Sequence, residues 1–254
     1  MAEARREKLL QMIRSRGYIS LKELEHAFPE VSTMTLRRDL QLLDDRGLAI
    51  RVRKGARSVQ ALPKEEIEPV YDMRAIVNLE AKERVAAAAV RLLEPGRSLF
   101  LDAGTTVMRL ARALPDENFS IITYAPNVGL EVAKRRKPSV FLLGGRLLKE
   151  NLTLVGGMAS SMLDTFNIDT AVMSCSGFTM ESGFTCGNHD ECELKQKVIA
   201  KARRVIMLMD GAKIGKSLPL TFAQAGQVSE LVTDSDDAAL RDHMAKHSCM
   251  VIQA

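Results

Sequence analysis

The chain has no tryptophan, only 4% aromatic residues, and four cysteines among 254 residues. No apolar run approaches the roughly 18–20 residues needed to cross a bilayer as a helix, so no membrane span is expected. The opening Met-Ala-Glu-Ala-Arg-Arg-Glu-Lys has no apolar core of the kind a secretory leader carries. Cys175, Cys186, Cys192 and Cys249 are too few and too irregularly spaced for a disulfide scaffold; a reduced cytoplasm is the natural setting. Cys186, His189 and Cys192 fit no strong zinc spacing, and no motif calls for a metal or a cofactor. Repeats and low-complexity tracts are also missing. What remains is 46% apolar residues, mostly Ala, Val, Leu and Ile, in a chain long for one domain and comfortable for two. That composition predicts an α/β protein.

Charge is unevenly spread. Residues 1–57 hold 13 basic and 8 acidic side chains, a net of +5, against +4 for the whole chain. The excess positive charge therefore lies at the N-terminus. There, residues 32–44 read as a short amphipathic helix, with Leu36, Leu40 and Leu43 as an apolar stripe. Met34, Arg37, Arg38 and Gln41 face the other way, and Ser32 stands where an N-cap belongs. Leu21 to Phe28 forms a second short helix, buried through Leu21, Leu24 and Phe28, with Pro29-Glu30 turning between the two. This is a helix-turn-helix pattern whose second helix would read the DNA major groove. Candidate contacts are Ser32, Thr33, Met34, Thr35, Arg37, Arg38 and Gln41. Residues 48–50 and 59–62 then predict a two-strand wing whose basic tip offers Arg51, Arg53 and Lys54 to the DNA backbone or minor groove.

A stretch with two prolines and an acidic cluster follows, giving three expected regions: a DNA-binding domain over 1–57, a linker over 58–72 and a larger α/β domain over 73–254. A long helix is expected over 72–93, with Lys82, Arg84 and Arg91 outward. Strands are expected at 98–102, 119–123, 139–143, 169–174, 204–209, 229–233 and 249–252. Helical stretches fall between them at 106–114, 126–135, 157–164, 190–203 and 236–246. Such alternation predicts a mainly parallel sheet covered on both faces, with ligands at the carboxyl ends of its strands. Asp102-Ala-Gly104-Thr105-Thr106 joins a strand to a helix N-terminus, where free amides and two hydroxyls suit a phosphate. Arg146 and Lys213 follow other strand ends as cations. Asp102 and Asp210 could accept hydrogen bonds from sugar hydroxyls.

The ordered set resembles the DeoR family of sugar-operon repressors. At the N-terminus it is carried by Val31 to Leu40, Leu43-Asp44 and Gly47 to Arg51. Further on it is carried by Asp102 to Thr106, Thr123 with Asn127, Gly144-Gly145-Arg146, Val155-Gly156, Asp169-Thr-Ala, Gly177 with Gly183-Phe-Thr185, Lys195, and Asp210-Gly-Ala-Lys213. Three departures stand out, the first a helix-turn-helix turn one residue longer, at Phe28-Pro29-Glu30-Val31. The wing has Arg53-Lys54-Gly55-Ala56 in place of His-Gly-Gly-Ala, and Asn127 does not follow Thr123 directly. The resemblance implies a winged helix-turn-helix before a domain folded like ribose-phosphate isomerase. It also implies a phosphorylated sugar or sugar-derived effector, and it adds Thr123, Asn127, Gly144, Gly177 and Lys195 to the effector site. The expected activity is a non-catalytic one: a homo-oligomer, dimer or tetramer, that represses a carbohydrate operon by binding operator DNA. The alternative is an isomerase-like enzyme fused to a DNA-binding module, with Asp102 or Asp169 as base. Against it, the isomerase signature of the Asp-Gly-Ala-Asp-Glu kind is missing.

Overall fold

In a computed structural model the chain forms two compact units, residues 1–67 and 68–254. The described residues are 2–16, 18–45, 48–52, 55–58 and 68–254.

The first unit contains α1 (Ala2–Arg16), β1 (Tyr18–Ser20), α2 (Leu21–Ala27), α3 (Thr33–Asp45), β2 (Ala49–Val52) and β3 (Gly55–Ser58). Its core is Leu9, Ile13, Ile19, Leu24, Leu36, Leu40, Leu43, Ala49 and Ala56. The leucine stripe of α3 is thus buried as its spacing required. Ser20 caps α2 reciprocally: its Oγ accepts from the Glu23 amide at 3.2 Å, and its own amide donates to Glu23 Oε2 at 2.8 Å. Two features depart from expectation. A strand paired with β2 is formed by residues 55–58, and the strand expected over 59–62 lies outside the described residues. The wing is also a three-stranded sheet, because β1 pairs antiparallel with β3 on the side away from β2.

The second unit opens with α4 (Tyr71–Ile76) and α5 (Leu79–Val90). The single helix expected over 72–93 is broken at Val77, which is extended, and at Asn78, which sits in the left-handed region at φ 54°. Asparagine tolerates that region better than most residues. Next come β4 (Ser98–Leu101), α6 (Thr105–Ala113), β5 (Ser120–Thr123), α7 (Pro126–Val132) and β6 (Ser139–Leu142). After them are β7 (Arg146–Leu148), β8 (Thr153–Val155), α8 (Gly157–Leu163), β9 (Ile168–Ser174), β10 (Gly177–Thr179), β11 (Gly183–Cys186) and α9 (His189–Lys201). The chain closes with β12 (Ala202–Leu208), β13 (Leu220–Ala223), β14 (Glu230–Thr233), α10 (Ala238–Lys246) and β15 (Met250–Gln253).

Seven strands form one parallel sheet in the order β15-β14-β12-β9-β4-β5-β6. All seven were legible as apolar runs. The fold is α/β, a winged helix-turn-helix followed by a mainly parallel sheet with helices. The small antiparallel elements were not expected: the hairpin β7–β8 and the three-stranded sheet β10-β11-β13. Chain order reverses between β4 and β9, which lie side by side, the point from which loops leave in opposite directions in such sheets.

Candidate functional site

In the first unit, the exposed face of α3 is built from its first turns. Ser32 Oγ accepts from the Thr35 amide at 3.2 Å, so the N-cap is in place. The Ser32 and Thr35 hydroxyls also bond each other at 2.9 Å, and Thr33 Oγ1 donates to Glu25 Oε1 on α2 at 2.7 Å. Arg37 and Arg38 are exposed and have no acidic partner among the described residues. Met34 is 75% exposed. Gln41 is half-buried. Asp39, between the arginines and Leu40, is buried and held by Arg5 Nε at 2.6 Å and Arg6 Nε at 2.7 Å. Burial alone would raise its carboxyl. The two guanidiniums outweigh burial and hold it below the usual range. Arg5 and Arg6 are therefore committed inward, while Arg37 and Arg38 are presented outward. Arg51 has its backbone in β2; its side chain, with the whole of Arg53 and Lys54, lies outside the described residues.

In the second unit, the strand ends carry two distinct clusters. The first is a buried ionic string. Asp102, just past β4, is fully buried. Its Oδ2 accepts from Lys195 Nζ at 2.5 Å, from the Ser174 amide at 2.9 Å and from Ser174 Oγ at 2.7 Å. The Tyr124 hydroxyl donates to its Oδ1. Lys195 also donates to the Ser174 carbonyl at 3.0 Å and lies 3.6 Å from Glu191. The string continues through Asn151, which donates to Glu191 at 2.6 Å and accepts from Arg74 at 3.1 Å. It ends at Glu68, which takes Arg74 at 2.6 Å, the Gly187 amide at 3.1 Å and the Ser176 hydroxyl. Burial opposes every charge here. Lys195 nevertheless keeps Asp102 below the carboxylate range, and Asp102 with Glu191 keeps the Lys195 ammonium above the lysine range. For Glu191 burial wins, and its carboxyl is pushed up.

The second cluster is incomplete. Asp210, following β12, is buried. Its Oδ1 accepts from Asn78 Nδ2 at 3.0 Å, and its Oδ2 has no partner. Lys82, 2% exposed, donates to the Arg74 carbonyl at 2.5 Å and finds no carboxylate in ion-pair range. Burial first, then the nearby charge of Lys213, lowers its ammonium to about 8. Lys213 forms no ion pair among the described residues, so two ammoniums share the neighbourhood of one carboxylate. Both polar atoms of Asn127, on the first turn of α7, are buried without a well-formed hydrogen bond, the Tyr71 hydroxyl being the group close enough to interact with them. Arg74 Nε and Thr153 Oγ1 are in the same condition. Buried polar atoms are normally satisfied; these are not. The hydroxyls of Thr105 and Thr106, at the N-terminus of α6, are also without partners among the described residues.

The residues expected at the effector site therefore divide. Asn127, Asp210, Lys213, Thr105 and Thr106 keep unused polar groups. Asp102 and Lys195 are spent on each other. Thr123 is spent too, donating to the Leu101 carbonyl at 2.7 Å and accepting from the Ala125 amide at 3.1 Å. Gly104 is required for packing: a Cβ there would stand 1.8 Å from Ser174 Oγ. Gly177 faces the Lys216 carbonyl in the same way, at 2.5 Å, and Gly144 faces Met158. Arg146 pairs with Asp190 at 2.5 Å on the surface and is not among the cations around Lys82. Asp169 sits at the opposite, amino end of the sheet, bound to Ser98. Cys186 and Cys192 are buried while His189 is exposed.

Sequence reasoning missed Lys82, Arg74, Asn78 and Tyr71. Lys82 was expected outward on account of its charge. Its spacing said otherwise, since residues 82, 85, 86 and 89 form one buried stripe on α5.

Comparisons with known proteins agree across the chain. Residues 5–61 match the DeoR-like helix-turn-helix domain, and residues 77–235 match the DeoR C terminal sensor domain. The HTH-type transcriptional regulator GlpR of Haloferax volcanii is 33% identical over 223 residues, covering 87% of this chain and 86% of that protein. The uncharacterized HTH-type transcriptional regulator YulB of Bacillus subtilis is 31% identical, covering 91% and 88%. The glycerol-3-phosphate regulon repressor of Escherichia coli is 27% identical, covering 91% and 90%. Among solved structures, ribose 5-phosphate isomerase A of Methanocaldococcus jannaschii aligns at a TM-score of 0.41 with 17% identity, covering 54% of this chain and 55% of the other. Among the described residues, no helix is long and apolar enough to cross a membrane. On the two matched domains and these relatives, the chain belongs to the DeoR family of helix-turn-helix transcriptional regulators, not to a family of enzymes.

Proposed function

We propose that the second unit binds a phosphorylated sugar or sugar-derived metabolite between the ends of β4, β5 and β12, and that this ligand controls how tightly the first unit holds operator DNA. The observation that carries the reading is the incomplete cluster: Lys82 and Lys213 share the neighbourhood of Asp210, whose Oδ2 has no partner, and the polar atoms of Asn127 are likewise unsatisfied. A phosphate supplies the missing negative charge, and it can also use the free amides of α6. Sugar hydroxyls fit Asp210 Oδ2 and the Asn127 amide. The relative named as the glycerol-3-phosphate regulon repressor supports repression of a carbohydrate catabolic operon. Two winged helices reading two half-sites require at least a dimer, and a tetramer serves equally. The effector acts by preferring one arrangement of the assembly over another. The contacts proposed for DNA are Arg37, Arg38, Met34 and Gln41 on α3, with Arg51, Arg53 and Lys54 on the wing.

The test is thermal unfolding of the full chain against phosphorylated sugars and polyols. One phosphorylated compound should raise the midpoint, and its unphosphorylated parent should not. Lys82→Met or Lys213→Ala should remove that shift. The affinity should also fall as pH rises through about 8, where Lys82 loses its proton. A shift that survives both substitutions places the phosphate elsewhere.

A further inference from the structure

Met34 is the exposed large hydrophobic side chain of the first unit, among the described residues. It stands on the second residue of α3, in the turn whose residues meet base edges when such a helix enters the major groove. Its neighbours are occupied: Thr33 by Glu25, and Ser32 and Thr35 by each other. The first turn therefore presents one unengaged side chain, and that side chain is apolar. Along the helix, Arg37 and Arg38 follow at three and four residues. They lie on the same face and have no partner among the described residues.

We propose that Met34 reads the C5-methyl group of a thymine in the operator, and that a guanine contacted by Arg37 or Arg38 lies one or two base pairs away. In the major groove the thymine methyl is the apolar feature, and the O6 and N7 of guanine are the preferred partners of an arginine. The spacing follows from geometry. Three or four residues of helix rise about 4.5–6 Å, and successive base pairs stack about 3.4 Å apart. A single exposed methionine elsewhere would need no explanation; here it occupies the reading position of a helix whose polar first-turn groups are already bonded. The assignment rests on the DNA-binding role of α3.

The experiment starts from random duplex DNA, enriched on the immobilised full-length protein to obtain its site. Each thymine of that site is then replaced singly by deoxyuridine, which lacks only the methyl group, and binding is titrated. The expected result is one thymine per half-site whose replacement weakens binding about 4-fold, the order set by one buried methyl. The loss should vanish in Met34→Ala, whose thermal midpoint should equal that of the wild type because the side chain is exposed. Equal sensitivity to deoxyuridine in wild type and Met34→Ala, or no sensitive thymine, overturns the assignment. If enrichment yields no site at all, the reading role of α3 fails first. Enrichment that is lost in Arg37→Ala, Arg38→Ala but indifferent to deoxyuridine overturns the methyl contact alone.

Discussion

Replacing Lys195 by Met removes the cation at the centre of the buried ionic string while keeping an unbranched side chain in its place. Lys195 is 3% exposed and its ammonium is 2.5 Å from Asp102, which is fully buried. The variant leaves the Asp102 carboxylate to Tyr124 and Ser174 alone, and Glu191 without its nearest cation. Removing one partner of a buried pair costs about 3–5 kcal/mol, most of it the stranded charge. For a unit of 150–250 residues, 1 kcal/mol moves the melting midpoint about 2–4 °C, so a fall of about 6–20 °C is expected in calorimetry of the full chain. The pH dependence has a definite sign. In the wild type, burial raises the Asp102 carboxyl, but Lys195 and the hydrogen bonds outweigh it and leave it below the usual range. Its contribution to stability is therefore present above the unfolded value of about 4, and it is lost as pH falls through the lower folded value. In Lys195→Met, burial is unopposed by the ammonium and the carboxyl shifts upward. The deficit should then be full at neutral pH and should shrink as acid protonates Asp102. Adding Asp102→Asn should recover most of the loss, because the fully buried Asp102 charge is then no longer stranded, and Glu191 keeps its hydrogen bond from Asn151. A midpoint within about 2 °C of wild type, or a double variant no more stable than the single one, would refute this account.

Gly104→Ala tests packing behind the proposed phosphate loop. A Cβ 1.8 Å from Ser174 Oγ must displace a residue that also binds Asp102, so a loss of about 1–3 kcal/mol is expected in urea unfolding; an unchanged midpoint would mean the loop yields freely. Arg37→Ala combined with Arg38→Ala should lower the slope of log affinity against log salt by about 1, the share of the arginine that is not on a guanine. An unchanged slope in titrations between 50 and 200 mM salt would move the phosphate contacts off α3.

Elements set by a long apolar period were readable from the residues: the leucine stripe of α3 and the seven parallel strands. Elements set by partners distant in sequence were not. β1 is three residues long and exists because Gly55 allows close approach, a Cβ there falling 2.1 Å from the Ile19 carbonyl. β10 and β11 pair with each other and β11 with β13, through short segments with little pattern of their own. Helix α1 has its buried residues Leu9 and Ile13 one turn apart, embedded in charge that masks them. The site was half readable for a related reason. Motif residues at strand ends were found as types, but whether each faces outward or is consumed by a neighbour depends on the fold. Asp102 and Asp210 look alike in the sequence; one is saturated by Lys195, Ser174 and Tyr124, and the other keeps an unpaired oxygen. Lys82 was visible only to a reader who trusted spacing over charge.

The ionic string also fixes an order of events during synthesis. Glu68 is the first residue of the second unit, yet Ser176 and the Gly187 amide, which hold it, come 108 and 119 residues later. Lys195 reaches Asp102 across 93 residues. The first unit closes its own core within 67 residues and has emerged before any of these partners exists; domains fold as units, the N-terminal one first. A chain interrupted ahead of Lys195 therefore carries a folded reader of DNA together with an unfinished, unpaired set of buried charges. Early termination in the distal half should be more damaging than simple loss of protein, because it separates the helix-turn-helix domain from an intact sensor domain.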